Sequence, residues 1–169
     1  MSAHGLEVFD RTFETTHIWL NEICSELGPD KHVAWKALSV VLQTLRDRLP
    51  LPLAAHLGAQ LPLLIRGVYY DQFEPGRPTE RKGRDGFIAE VHEALSDARP
   101  VNAEHAIRCV FGVLSRHVSE GQVRKIRDAL PSGFRPLWER EERQPHATHR
   151  DPEPRREPEP LILTEAEQV

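Results

Sequence analysis

With 169 residues, 39% of them hydrophobic, the chain can bury one compact core or two small ones. A formal net charge of −4 and a pI near 6.1 exclude a global attraction to nucleic acid or anionic lipid, so either kind of binding requires a local basic patch. Two cysteines, Cys24 and Cys109, exclude a disulfide framework, and Pro50, Pro52, His56, Gln60, Pro62 and Arg66 break up the most apolar window, 49–68, which excludes a membrane span there.

Punctuation divides the chain into helices. A first segment, expected near 16–27, carries Trp19, Leu20, Ile23 and Leu27 and stops at Gly28-Pro29. A longer helix follows near 32–48, where Ala37, Leu38, Val41, Leu42, Leu45 and Leu49 form one apolar stripe at helical spacing. A third is expected near 53–61, ended by Pro62, and a short fourth near 63–70 carries Tyr69 and Tyr70. Proline and glycine make the following Asp71–Pro78 stretch a structured turn. Four more helices are expected near 85–96, 102–117, 120–130 and 132–141. Asn102 is placed to cap the second of these, Ser119 with Gln122 to form a capping box at the third, and Pro131 to end it.

The second set repeats the first. A shift of 69 residues lays Leu61-Pro62 on Leu130-Pro131 and brings Ala37, Leu38, Val41, Leu42, Leu45 and Leu49 onto Ala106, Ile107, Val110, Phe111, Leu114 and Val118. A shift of 68 continues the match upstream, from Trp19, Leu20, Ile23 and Leu27 to Phe87, Ile88, Val91 and Leu95. Because a unit of this size buries little by itself, two such units, about 16–70 and about 85–141, are expected to pack together. The expected fold is all-α: a helical bundle of two tandem four-helix repeats forming one pseudo-twofold domain over 12–142. From Arg143 to Pro160 the composition turns to Pro, Glu, Arg and His, so 143–169 is expected to be a disordered tail. Within it, Leu161-Ile162-Leu163 is an isolated apolar cluster that either stays solvated or docks as a short motif on the chain's own domain.

These segments together resemble a known family. TTHIWLNEICSELG, the helix ending in LRDRLP, LGAQLPLLIRGVYY, the turn ending in GRP, and a second copy closing with LSRHVSEG and ALPSGFRPLW resemble the bacterial domain-of-unknown-function family 2267 over about residues 12 to 140. The resemblance implies an all-helical fold and no particular reaction. One departure is Gln72-Phe73, where the resemblance would place a Gly-Trp pair after the two tyrosines. Arginine far outnumbers lysine, and alanine and proline are frequent, in keeping with a high-GC bacterial source. The start MSAHGLEVFDRTFE lacks the basic-then-apolar order of a signal peptide, so a cytoplasmic location with reduced thiols is expected.

Chemistry-bearing residues are few. His105 and Cys109 have an i, i+4 spacing that suits two zinc ligands, yet no second pair with ligand spacing accompanies them, and a histidine beside a core thiol is the simpler reading. His146 and His149 fall in the expected tail. Pairing Cys24 or Cys109 with His32, His92 or His117 supplies neither an orienting third group nor an activated thiolate. Gly83-Arg84-Asp85-Gly86 lacks the strand and lysine of a phosphate loop. No catalytic residue, cofactor or metal ligand is therefore assigned.

The candidate partner-binding segment is Tyr69, Tyr70 and Phe73 followed by Arg77, Arg81, Lys82 and Arg84, aromatic surface beside positive charge. The competing reading is that these aromatics fill the seam between the halves. Arg46, Arg48, Arg66, Arg124, Lys125, Arg127 and Arg135 are interspersed with acids such as Asp47 and Asp128, as on an ordinary solvated helical surface. The expected function is that of a non-enzymatic interaction protein with an unknown protein partner. A nucleic-acid-associated module and a small-ligand or metal-dependent function are the alternatives.

Overall fold

The structure, a computed structural model, describes residues 6–77 and 83–139. Among these residues the chain forms α1 (Glu7–Leu27), α2 (Lys31–Arg46), α3 (Leu51–Gln60), α4 (Leu63–Tyr70), α5 (Arg84–Ala94), α6 (Ala103–His117), α7 (Glu120–Ala129) and α8 (Arg135–Trp138). A 3-10 turn at Ser132–Phe134 leads into α8, and the described residues contain no strand.

Local chemistry accounts for the boundaries. At the end of α1, Gly28 has φ 105° and its N–H donates to the Cys24 carbonyl at 3.0 Å, a backbone conformation that favours glycine. Arg99 completes that end by donating from Nη2 to the Leu27 carbonyl at 2.7 Å. The Asp30 carboxylate accepts from the His32 and Val33 amides at 2.9 and 3.4 Å, and Asn102 accepts from the His105 amide at 2.9 Å, so α2 and α6 are both capped by side chains. Leu61 and Leu130, each extended and each followed by proline, close α3 and α7.

Three expectations are corrected. The box between Ser119 and Gln122 does not form: Gln60, 59 residues away, donates from Nε2 to Ser119 Oγ at 3.1 Å and accepts the Ser119 amide at 2.9 Å. Gln122 is instead buried, and the end of α3 is tied to the start of α7. The last unit is shorter than 132–141 because the segment SGF forms a 3-10 turn and Pro136 removes an N–H, leaving a four-residue α8. And α1 begins at Glu7 rather than near 16. The reason lies in its apolar line, which runs Leu6, Phe9, Phe13, Thr16, Leu20, Ile23 and Leu27 in alternating steps of three and four, one continuous seam along a helix.

One buried cluster reaches from Trp19 to Leu137. It includes Leu38, Leu42, Leu57 and Ile65 from the first half and Phe87, Phe111, Ile126 and Phe134 from the second. The long helices α2 and α6 pack on each other and both on α1, while α2 also meets α5 and α3 meets α7. Rings fill the second half: Phe87 lies against Phe111 and edge-on to Phe134 at centroid distances of 6.1 and 5.3 Å, and Trp138 stacks on Phe111 at 4.1 Å. Among the described residues no helix is long and apolar enough to cross a membrane.

Candidate functional site

The aromatic residues at the end of α4 and just beyond it do not stand out from the body. Tyr69 is fully buried and its hydroxyl donates to the Ala54 carbonyl at 2.7 Å; burial pushes its phenol far above the ordinary range, so it remains a protonated donor. Its face is therefore closed to a partner. Tyr70 is half-buried, edge-on to Tyr69 at 4.9 Å and tilted against Phe73 at 5.9 Å. Its hydroxyl lies where a Cβ on residue 58 would be, so Gly58 in α3 makes room for it.

Phe73 faces a cation from another helix. The Arg46 guanidinium sits 4.8 Å over the Phe73 ring, donates from Nη1 to the carbonyls of Tyr69 at 2.5 Å and Asp71 at 2.9 Å, and donates from Nε to the Asp47 carboxylate at 2.8 Å. Gln43 adds a bond from Nε2 to the Val68 carbonyl at 2.9 Å. Arg46 thus satisfies the carbonyls at the end of α4 and is 4% exposed, while Arg48, 5% exposed, lies 4.8 Å over Phe87 and reaches Glu90 at 2.8 Å. Neither is the solvated surface cation expected from the sequence. Each has folded back from the end of α2 over an aromatic ring and found fixed acceptors.

Of the remaining members of the segment, Arg77 and Arg84 are among the described residues. Arg77 is exposed and its amide donates to the Glu74 carbonyl at 3.0 Å. Arg84 pairs with Glu104 at 2.9 Å and Asp85 at 3.4 Å. Arg108 holds the same Glu104 at 2.8 Å, and this hydrogen bond, with Arg84 nearby, keeps the Glu104 carboxyl below its ordinary range. Arg81 and Lys82 lie outside the described residues, as do His146 and His149.

Along the seam between α1 and α6, polar residues cluster more tightly. Cys109 donates from Sγ to Glu26 Oε2 at 3.3 Å, with His105 Nε2 at 3.8 Å from the sulfur and 3.3 Å from the Glu26 carbonyl. Burial, reinforced by the Glu26 hydrogen bond, pushes the Cys109 thiol far above its ordinary range. It is therefore a protonated donor rather than a thiolate nucleophile. Among the described residues no group of three or more His, Cys, Asp and Glu has the arrangement to hold a metal ion.

Further along, Glu22 accepts from Arg116 Nε at 2.6 Å and lies 2.6 Å from His117 Nε2, and the His117 ring stacks on Trp19 at 5.0 Å. Burial opposes the Glu22 charge, but its bonds to His117 and Arg116 outweigh that and hold the carboxyl below the ordinary range. His117 therefore serves Glu22 and Trp19.

The open surface lies elsewhere. Leu6, Val8, Phe9, Phe13 and Ile18 of the α1 region are 43–55% exposed, and Leu51, Leu63 and Leu64 are exposed at the starts of α3 and α4. The α1 group was missed because the residues paired by the 68- and 69-residue shifts begin only near residue 16; the alternation that starts at Leu6 was the signal that carried it. Residues 16–137 match the model of a family described as an uncharacterized conserved protein, DUF2267, and the chain belongs to that family. No curated protein matches it.

Proposed function

We propose that this DUF2267 chain is a non-catalytic interaction protein of the bacterial cytoplasm, built of two fused halves and presenting the N-terminal part of α1 to a protein partner. One observation carries the reading. The apolar seam of α1 runs past the body, leaving Leu6, Phe9 and Phe13 exposed in helical register with the buried Thr16, Leu20 and Ile23. A helix that offers such a row fits recognition by a partner's apolar groove or helix. The polar clusters have a different character: Cys109, Glu22, Glu104, Arg46 and Arg48 tie helices to one another. The nucleic-acid alternative draws on Arg77 and Tyr70, but Tyr69 is buried and Arg84 is paired with acids, which leaves that alternative with less support.

The test is a quantitative pull-down from the source organism with the wild-type chain, Leu6→Ser/Phe9→Ser and Arg77→Ala/Arg81→Ala. A stoichiometric protein retained by the wild type and by the arginine variant, but lost with the seam variant at unchanged melting temperature, is the expected result. Loss with the arginine variant instead, accompanied by co-purifying nucleic acid and steep salt dependence, would move the function to the other segment.

A further inference from the structure

We infer that Leu161, Ile162 and Leu163 dock on the exposed stretch of the α1 seam, so that the chain's own C-terminal segment competes with a partner for that face. The competition rests on the function proposed above; the docking itself does not. The seam has two environments. From Thr16 onward it is buried against the body, whereas Leu6 and Phe9 are 54% and 48% exposed. Leu6 and Phe9 supply the open surface, and Phe13 supplies the register between them and the buried part.

The neighbouring helix explains why the seam opens there. Cys109 meets Glu26, Arg116 and His117 meet Glu22, and His117 stacks on Trp19, so α6 runs antiparallel to α1 and ends level with Trp19. From that level α1 continues back to Glu7, and at ~1.5 Å per residue the continuation is about 18 Å long. Two turns of apolar surface in line with a core have no α6 beside them.

Composition and reach select the occupant. The sequence outside the described residues consists of 1–5, 78–82 and 140–169, and its one run of adjacent large apolar side chains is Leu161-Ile162-Leu163. The chain leaves the body beside α6, where Trp138 stacks on Phe111 and Arg108 Nη1 donates to the Glu139 carbonyl at 3.2 Å. From Phe111 to the end of α6, and then from Trp19 back to Phe9, the path along the two helices is about 24 Å at ~1.5 Å per residue. For a chain of roughly 21 residues, the number between Glu139 and Leu161, the reach runs from about 25 Å root-mean-square for a flexible coil to about 65 Å for a fully extended polyproline-type chain, so this path lies within it. A span within reach makes the contact intramolecular, which gives the apolar triplet an advantage over a second copy of the chain at ordinary concentrations. Glu7, Asp10 and Glu14 outweigh Arg11 around the seam and Glu157, Glu159, Glu165 and Glu167 flank the triplet, so charge opposes the docking, apolar contact and reach carry it, and added salt should leave it intact or strengthen it.

The experiment compares the full chain with a full-length L161S/I162S/L163S variant by amide NMR and sedimentation velocity, without any partner. The expected result is a monomer in both cases, with shift changes concentrated at residues 6–18 that persist in high salt. A synthetic peptide of residues 156–168 added to the variant should move the same amides back toward their wild-type positions. Unchanged α1 shifts, or changes centred on another helix, would overturn the inference. A wild-type dimer whose α1 shifts depend on concentration and survive the triple substitution would also overturn it and assign the face to a second copy. Because no partner enters the measurement, a failure of the proposed function leaves this result standing, and a failed docking leaves partner capture to be judged separately.

Discussion

A 69-residue shift sets the end of α2 against the end of α6, and the two ends are secured in different ways. At the end of α2, Arg46 and Arg48 are buried, each over a phenylalanine ring, with guanidinium bonds to the Tyr69 and Asp71 carbonyls, to the Thr44 carbonyl and to Glu90 of α5. The 69-residue shift puts Ser115 and His117 in their places. Ser115 returns a hydrogen bond to the Phe111 carbonyl at 2.9 Å, and His117 joins Arg116 in holding Glu22 at the flank of α1. At these two helix ends, positions paired by the shift therefore carry different polar side chains and make different attachments. Two buried guanidinium groups fasten α2 to α4 and α5, and a partly exposed polar cluster fastens α6 to α1.

The largest test of the comparison concerns what the halves have in common. Leu42 and Phe111, matched by the shift, are both fully buried in one cluster. Leu42→Ala and Phe111→Ala should each destabilise by about 2–5 kcal/mol in chemical denaturation and should do so through one transition. Two separate transitions, with only one moved by each substitution, would show that the halves fold independently.

Next comes the contrast itself. Removing the Arg46 side chain leaves the buried Tyr69 carbonyl and the exposed Asp71 residue's carbonyl without that donor and uncovers Phe73, so Arg46→Ala should cost about 1–3 kcal/mol, chiefly through the buried carbonyl. Arg46→Lys should recover little of it, because one ammonium cannot reproduce the planar fork over the ring. The matched substitution Ser115→Ala should cost less than about 1 kcal/mol, since it removes a local back-bond within α6. Equal losses at 46 and 115 would abolish the distinction drawn between the two helix ends.

A smaller effect is expected at the crossing of α3 and α7. Gln60→Ala removes both bonds to Ser119 and should cost on the order of 1 kcal/mol, as loss of a helix cap does. Gln122→Ala should not reproduce it if Gln60, rather than the local box, serves the start of α7; comparing cap-proximal amide exchange in the two variants separates them.

These sites also show why the sequence was legible in part. Leu38, Leu42, Ile107 and Phe111 were readable because burial on one side of a helix imposes a period that survives in the residue order. Asn102 was readable because a cap is a local contact. The burial of Arg46 and Arg48 was not, since arginine past a helix end is ordinarily solvated and only the arrival of α4 and two phenylalanines from elsewhere in the chain encloses them. Gln60 displaced the expected box at Ser119 for the same reason, as a partner 59 residues away has no local signature. In the candidate segment, Tyr69, Phe73 and Arg84 are close in sequence, but Phe73 meets Arg46 of α2 and Arg84 meets Glu104 of α6. Adjacency along the chain does not reveal these partners, which come from other helices.

The smallest expected effect is the dependence of the α1–α6 attachment on pH, and its sign follows from Glu22. Bonds to His117 and Arg116 outweigh burial and lower the Glu22 pKa from 4.5, so the folded protein prefers the carboxylate more strongly than the unfolded chain does. Its contribution is complete above that ordinary value and is lost as pH falls through the lower folded value. Glu22→Gln should therefore reduce stability at neutral pH by up to about 1 kcal/mol, a size in keeping with a partly exposed ion cluster, and the gap to wild type should narrow in acid. High salt should narrow it as well. The Gln60–Ser119 fastening provides the control, because amide, hydroxyl and backbone N–H groups do not titrate in acid: the Gln60→Ala loss, measured relative to wild type across the same acid range, should change much less. A Glu22→Gln gap that stays constant in acid, or widens, would mean that Glu22 acts through packing on α6 rather than through its charge.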